Sequence, residues 1–278
     1  QHRADGHWVI LNASNELLNN NPDSAGTKVV RSASEWRLYL QQAFAQNQIH
    51  LHFQAIFNTD RKVQHYEVLS RIEEADGSLI RAGVFWPMLE RFGLSLQMDR
   101  KVIELLQIRF TGEDSVDGVE RRYCVNLSPA SIQNEGFVAW LDDVLLQQTD
   151  FASRVLFELP ESCVSANYEA VKRFAELLRK RGAGLSLDHF GLGARAFNYL
   201  QSMPLDCLKV DQSFVHHLND KADNQFFLRS LVQISRTCDV EIFAEGVETE
   251  AEWTQIVDLG LSGGQGYYLS EPGLKLLE

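Results

Sequence analysis

Cysteine is scarce in this chain: four in 278 residues, at Cys124, Cys163, Cys207 and Cys238, with no pair at CxxC spacing. That argues against a disulfide framework or a zinc knuckle and fits a reducing, cytoplasmic setting. Positive charge is scarce too. Lys and Arg number 26 against 38 Asp and Glu, a formal charge of -12, so a broad surface tracking the phosphates of DNA or RNA is not expected. A small anionic ligand would need local compensation from a few Arg or Lys side chains or from metal ions. The chain also lacks an apolar run near the ~20 residues that span a bilayer, and its N-terminus is no signal peptide. What is present is 45% hydrophobic content, enough to fill a sizeable core in one large α/β barrel or in two ordinary domains.

The opening "QHRADGHW" is abrupt, and a longer parent chain is expected. Residues 1–31, with the Asn-rich "NELLNNNPDSAGTK", read as a linker or as the tail of a preceding domain. From Ser32 to the end, the pattern is regular. "SASEWRLYLQQAFAQNQ" offers a Ser cap at Ser32 or Ser34 and apolar Trp36, Leu38, Leu40 and Phe44, predicting a helix. "IHLHFQAI" sets Ile49, Leu51, Phe53 and Ala55 against His50, His52 and Gln54, the alternation of a strand. Further strands are predicted at "HYEVLSRI", "RYCVNLS", "RVLFELP", "GLSLDHF", "DCLKVD", "EIFAEG" and "GGQGYYLS". Helices are predicted at "FGLSLQMDRKVIELLQI", "FVAWLDDVLLQQ", "ANYEAVKRFAELLRKRG", "DNQFFLRSLVQISRTC" and "TEAEWTQIVDLG". No Pro/Gly-rich linker interrupts this alternation, which favours a (β/α)8 barrel over a doubly wound sheet.

A barrel strand is buried on both faces, so an ionisable residue in it must be paired, metal-bound or placed at the open rim. Most of the predicted strands carry a polar or ionisable residue: Glu67, Asn126, Glu158, Asp188, Lys209 with Asp211, Glu245 and Gln265. If the strands run parallel, these side chains meet at the C-terminal mouth. Carboxylates with an Asn carbonyl form an oxygen-rich set suited to Mg²⁺, Mn²⁺ or Ca²⁺ rather than zinc. Singly, each has a plainer explanation: a strand-end Asp or Asn commonly caps a helix or turn, Glu67 could pair with Arg71, and Lys209 with Asp211. Recurrence over successive strands favours a site. Cys124 reads as packing, His216 and His217 as solvated, and Trp8, Trp36, Trp86, Trp140 and Trp253 as core or interface anchors.

In order along the chain stand "FQAI", "EVLSR", "VNLSPASI", "FELPES", "LDHFGLGARAFNYL", "LKVDQSFV", "EGVETEAE" and "GQGYYLSEP". This series resembles the EAL-domain family, the cyclic di-GMP phosphodiesterases and their inactive relatives, from Ser32 to Pro272. The resemblance implies a modified TIM-type barrel with one antiparallel strand. It implies that Glu67, Asn126, Glu158 and Asp188 match the ligands of one metal, and that a second shares Asp188 and uses Glu245. Lys209 matches the lysine that positions the attacking water and Gln265 a glutamine at the site. Gln54 and Arg71 match contacts to the nucleotide and its phosphate, beside Val68 and Leu69 of the signature. Mg²⁺ or Mn²⁺ is the implied cofactor of any hydrolysis, with none required for binding.

The series departs from the family at two places. The second Asp of D-D-F-G is His189, a neutral imidazole where a hard anionic oxygen is expected. The Tyr-Ser-Ser of the following loop is Ala194-Arg195-Ala196. The resemblance therefore implies a non-hydrolysing cyclic di-GMP receptor of the LapD or FimX type, acting as a homodimer or through domain rearrangement. The resemblance further implies a cytoplasmic module of a longer chain, with an inner-membrane receptor as one setting. "RADGHWVIL" resembles the last strand of a degenerate GGDEF domain, which would precede it. The alternatives are a weak or metal-restricted phosphodiesterase that produces pGpG, and a scaffold that binds no ligand.

Overall fold

The computed structural model describes residues 2–4, 7–11, 17–19, 31–110, 121–193 and 199–277. The chain starts with three short antiparallel strands, β1 (His2–Ala4), β2 (His7–Leu11) and β3 (Leu17–Asn19), in a stretch whose composition suggested a linker or the end of another domain. Helix α1 (Ala33–Ala45) follows. Its N-cap is Ser32, whose hydroxyl accepts from Glu35 N while the Glu35 carboxylate takes the Ser32 amide, so two orphan donors are satisfied reciprocally. Trp36, Leu40 and Ala43 form its buried face.

Strands β4 (Ile49–Asn58) and β5 (Val63–Glu73) come next, then β6 (Leu79–Arg81), α2 (Ala82–Arg91) and α3 (Ser95–Phe110). The chain continues through β7 (Tyr123–Asn126), α4 (Pro129–Gln133), α5 (Glu135–Gln147), α6 (Thr149–Arg154), β8 (Val155–Pro160) and the long α7 (Glu161–Arg181). It ends with β9 (Gly184–Phe190), β10 (Cys207–Val210), α8 (Gln212–Val215), α9 (Ala222–Cys238), β11 (Glu241–Ala244), α10 (Glu250–Leu259) and β12 (Gly263–Gly264). No described helix is long and apolar enough to cross a membrane. Contacts divide the chain into two compact units, Gln1–Leu51 with Ser70–Met98 and His52–Leu69 with Asp99–Glu278.

The sheet order is β4-β12-β11-β10-β9-β8-β7-β5-β6, and β4 also pairs with β5, so eight strands close into a barrel and β6 is an extra hairpin strand on β5. Strands β5 and β7 to β12 run parallel to one another, whereas β4 runs antiparallel to β12. The antiparallel strand that the family resemblance implied is therefore the first of the barrel. The parallel strands read as nearly unbroken buried runs, as sheets covered on both faces do. Ile56, Cys124, Leu156, Cys207 and Phe243 form one buried apolar cluster.

Two elements differ from the sequence expectation. "GGQGYYLS" is extended only at Gly263–Gly264. A Cβ on Gly263 would lie 1.8 Å from Phe57 O and one on Gly266 2.1 Å from Val247 O, so the backbone passes too close to its neighbours for an ordinary strand to continue. Helix α2 was not predicted, because Pro87 stands inside it where a helical reading normally stops.

Beneath the mouth, Asp99 of α3 fixes the turn that follows β7. Its Oδ2 accepts from Ser128 N at 2.8 Å, Ser128 Oγ at 2.6 Å and Ser131 Oγ at 2.7 Å. Burial raises its pKa from the usual 3.8 to about 6, against the lowering effect of those hydrogen bonds. Folded protein thus holds this proton more tightly than unfolded protein. The contribution is fully present below 3.8 and is lost as pH rises through about 6. Over that window wild type should lose up to about 3 kcal/mol relative to Asp99→Asn. Urea denaturation of both proteins at pH 4 and pH 7 measures the difference, and parallel profiles would remove Asp99 as the titrating group.

Candidate functional site

The barrel brings its strand-end polar residues together around one ammonium group. Lys209 of β10 is 1% exposed. Its Nζ donates to Glu67 Oε2 at 2.9 Å and to Glu158 Oε2 at 2.8 Å, and lies 3.9 Å from Glu245 Oε1. Asn126 Nδ2 donates to Glu67 Oε1 at 2.9 Å, and Gln265 Nε2 donates to Glu67 Oε2 at 2.6 Å. Four strands, β5, β7, β8 and β10, and the residues directly after two more, β11 and β12, thereby meet in one network. The simpler pairing of Lys209 with Asp211 does not occur. Asp211 caps α8 through Ser213 N and faces His189 instead.

Burial opposes ionisation of Glu67, but the Lys209 charge and the hydrogen bonds from Lys209, Gln265 and Asn126 outweigh it and hold its pKa below the usual value. Glu158 is pushed up to about 8, by burial first and then by the charges of Glu67 and Asp188, with Lys209 opposing. Glu245 is raised well above the carboxylate range by burial and by Asp188. The four acids Glu158, Glu67, Asp188 and Glu245 raise the Lys209 pKa far enough to overcome its own burial. The cluster thus favours a charged Lys209 and shifts Glu158 and Glu245 toward their uncharged forms.

Asp188 and His189 reach the mouth together because β9 is bulged. Leu187 stands opposite Leu208 and Phe190 opposite Val210, so two residues of β9 face the single Lys209 of β10. His189 adopts φ +53°, a left-handed conformation that costs a non-glycine residue about 1–2 kcal/mol. Its Nδ1 lies 3.2 Å from Asp211 Oδ2 and 3.6 Å from Glu245 Oε2, and its Nε2 lies 3.7 Å from Asp188 Oδ2. Asp211 is lowered despite its burial, by hydrogen bonds from His189 and Ser213.

Glu161, at the start of α7, is a site residue that the sequence reading missed. Nearly fully buried, it accepts from Gly191 N at 2.9 Å and Gly193 N at 3.0 Å through Oε2, and from the Tyr199 hydroxyl at 2.7 Å through Oε1. It ties down the segment that leaves β9. A Cβ on Gly193 would sit 2.7 Å from Glu161 Oε1, so the contact depends on glycine there. The only sequence signal was a second acid in "FELPES", easily taken for helix capping. The altered triplet Ala194-Arg195-Ala196 lies outside the described residues.

The other expected residues have these positions. Gln54 of β4 donates through Nε2 to Ser270 O at 3.0 Å. Val68 is buried and Leu69 half-buried, while Arg71 Nη1 donates to Ser70 O at 2.9 Å. Cys124 is buried packing as expected, and Trp36 and Trp253 are core residues.

The donors suit a divalent cation. Glu158 Oε1 and Gln265 Oε1 are buried without a hydrogen-bond partner, and ligand atoms of Asp188, His189 and Glu245 lie within 4.8 Å of one another. Glu67, Asn126, Glu158 and Asp188 could hold a hard ion, which would satisfy the orphaned Glu158 oxygen.

A bulged parallel barrel with this row of acids, Asn and Lys at its mouth is the architecture that the ordered motifs implied. Residues 38–272 match the EAL domain model, and the chain belongs to that family. It is 31% identical over 238 residues to the bifunctional diguanylate cyclase/cyclic di-GMP phosphodiesterase MucR of Pseudomonas aeruginosa, a match covering 84% of this chain and 34% of that protein. It spans only 28–35% of the length of MucR and the phosphodiesterases PdeA of Borreliella burgdorferi and PdeB of Shewanella oneidensis. Among solved structures it is similar to the PaMucR phosphodiesterase in its c-di-GMP complex, with TM-score 0.78 and 30% identity over 86% of this chain and 97% of that one. It is also similar to the FimX EAL domain from Pseudomonas aeruginosa bound to c-di-GMP, with TM-score 0.78 and 27% identity over 87% of this chain and 97% of that one.

Removing Lys209 isolates buried acids. Lys209→Met should destabilise the domain by about 3–5 kcal/mol, read as a drop in the urea midpoint, and Glu158→Gln added to it should recover part of the loss. An unchanged midpoint for the single variant would show that the ammonium is not what holds the mouth together.

Proposed function

We propose that this domain binds cyclic di-GMP at the barrel mouth and signals its occupancy without efficient hydrolysis. Family membership supports the ligand class, and PaMucR and the FimX EAL domain are each known in complex with c-di-GMP. By sequence match Arg71 contacts a phosphate and Gln54, Val68 and Leu69 the nucleotide, with Glu67, Asn126, Asp188, Glu245 and Gln265 around it. A guanidinium suits that role because its planar fork reads phosphate in two hydrogen bonds. The anionic ligand faces less repulsion than a count of carboxylates suggests. Burial raises the pKa of Glu158 to about 8 and lifts that of Glu245 well above the usual carboxylate value, which favours the uncharged form of both. Such shifts lessen the repulsion that binding without a metal has to overcome.

The observation that carries the non-hydrolysing reading is His189. The β9 bulge presents two consecutive side chains to the mouth, and the second is an imidazole engaged with Asp211 rather than a carboxylate. Mg²⁺ or Mn²⁺ bound there supplies polarisation of a phosphodiester oxygen and a more acidic water. Replacing one hard anionic ligand weakens the position for those ions. A metal-restricted phosphodiesterase is the second reading, favoured by Glu67, Asn126, Glu158, Asp188 and Lys209 all standing in place and by the orphaned oxygen of Glu158. The receptor reading places the module in the cytoplasm within a longer chain, as a homodimer or coupled to neighbouring domains, and fits a short match to part of each curated relative.

Calorimetry with cyclic di-GMP should give a dissociation constant of about micromolar or tighter, retained in EDTA. Arg71→Ala should weaken it by about 1.5–3 kcal/mol. Chromatography of the same mixtures with Mg²⁺ or Mn²⁺ should show little pGpG from wild type and a partial gain from His189→Asp. Robust turnover by wild type would favour the phosphodiesterase, and absence of saturation would favour a scaffold.

A further inference from the structure

The residues around His189 form a donor set that differs in kind from the oxygen cluster on Lys209. Asp211 is a carboxylate and can only accept, so at 3.2 Å the Nδ1 of His189 is the donor and carries the ring proton. In the neutral ring the lone pair is then on Nε2, 3.7 Å from Asp188 Oδ2. In a tetrahedral site with bonds of about 2.0–2.1 Å, neighbouring donors stand roughly 3.4 Å apart. The separation between Nε2 and Asp188 is close to that edge. Glu245 supplies a third donor within the 4.8 Å group. A carboxylate behind the distal nitrogen of a ligating imidazole fixes its tautomer and orientation and raises its basicity.

The buried surroundings are also incompletely satisfied. Glu158 Oε1, fully buried and repelled by the Asp188 charge, has no hydrogen-bond partner, and neither does Gln265 Oε1, whose Nε2 lies 3.5 Å from Glu245 Oε1. Orphaned buried oxygens in the network that carries Glu245 are what a nearby cation would satisfy. Imidazole is a borderline donor. Mg²⁺ takes oxygen and gives up its water reluctantly, whereas Zn²⁺ and Co²⁺ bind a mixed nitrogen and oxygen set well.

We propose that Asp188, His189 and Glu245, with Asp211 as the positioning residue behind the imidazole, form a cation position that selects Zn²⁺ or Co²⁺ over Mg²⁺. The histidine changes which ion the mouth accepts rather than only removing a ligand. The position is set by this chain's own bulge and by Asp211, and the claim does not depend on the nucleotide.

The test uses metal-free protein and no nucleotide, so its result stands apart from the ligand reading. Co²⁺ is titrated while its visible absorption is followed, then Zn²⁺ and Mg²⁺ are added in competition. Wild type should take up one strongly absorbing equivalent that Zn²⁺ displaces and that a hundredfold excess of Mg²⁺ does not. His189→Ala should abolish the absorbing species, and His189→Asp should improve Mg²⁺ competition at least tenfold. Asp211→Asn keeps the ligands and should weaken Co²⁺ about 10–100-fold. His216→Ala should change nothing, and circular dichroism checks that each variant is folded. The proposal is overturned if folded His189→Ala keeps the same absorbing species, if Mg²⁺ competes equally in wild type and His189→Asp, or if wild type binds neither Co²⁺ nor Zn²⁺.

Discussion

The mouth of this barrel depends on a single buried ammonium. Lys209 donates to Glu67 and Glu158 from positions that place all three out of water. A charge so placed is tolerated only when its partners are fixed, because desolvation of each ion costs several kcal/mol. The partners are fixed by backbone: Glu67 and Glu158 lie within β5 and β8, Asn126 closes β7, and Glu245 and Gln265 follow β11 and β12 directly, each strand held in register by its neighbours. The sheet order, the closure of β4 on β5 and the position of every acid are therefore one requirement expressed several times. Slip of a single strand by one residue would turn its acid out of the network.

Around this centre two smaller anchors set the edges. Asp99 holds the turn after β7 through two serines and a backbone amide, and Glu161 holds the segment after β9 through two glycine amides and a tyrosine. Both are buried carboxylates whose oxygens accept several donors at once. They fix the backbone that follows Asn126 and Asp188, so the positions of the mouth residues do not rest on the mouth alone.

The barrel and most of the mouth could be read in the sequence because their signals are local. "LFELP", "LSLDHF" and "LKVD" are short apolar runs, each containing or ending in polar residues, and such residues have few places to go in a closed parallel sheet. What could not be read depends on contacts distant in sequence. Asp99 is 29 residues from Ser128, and Glu161 is 30 from Gly191. The β9 bulge leaves no mark in a pattern of period 2, which would put Asp188 and His189 on opposite faces. Helix α2 was hidden by Pro87, and the end of β12 by contacts of Gly263 and Gly266 with backbone that only the closed barrel brings near.

The conformation at His189 also limits how this position can vary. With φ at +53°, the backbone there accepts Gly, Asn, Asp and His readily and penalises β-branched side chains. The few residues that fit are a conformational vacancy filled by an acid, by the amide of that acid, by an imidazole or by no side chain at all. Each of these leaves the bulge and the pairing of β9 with β10 undisturbed. The fold therefore offers this chain a small set of interchangeable chemistries at one point, and drift among them alters the donors at the mouth without touching the architecture that holds it.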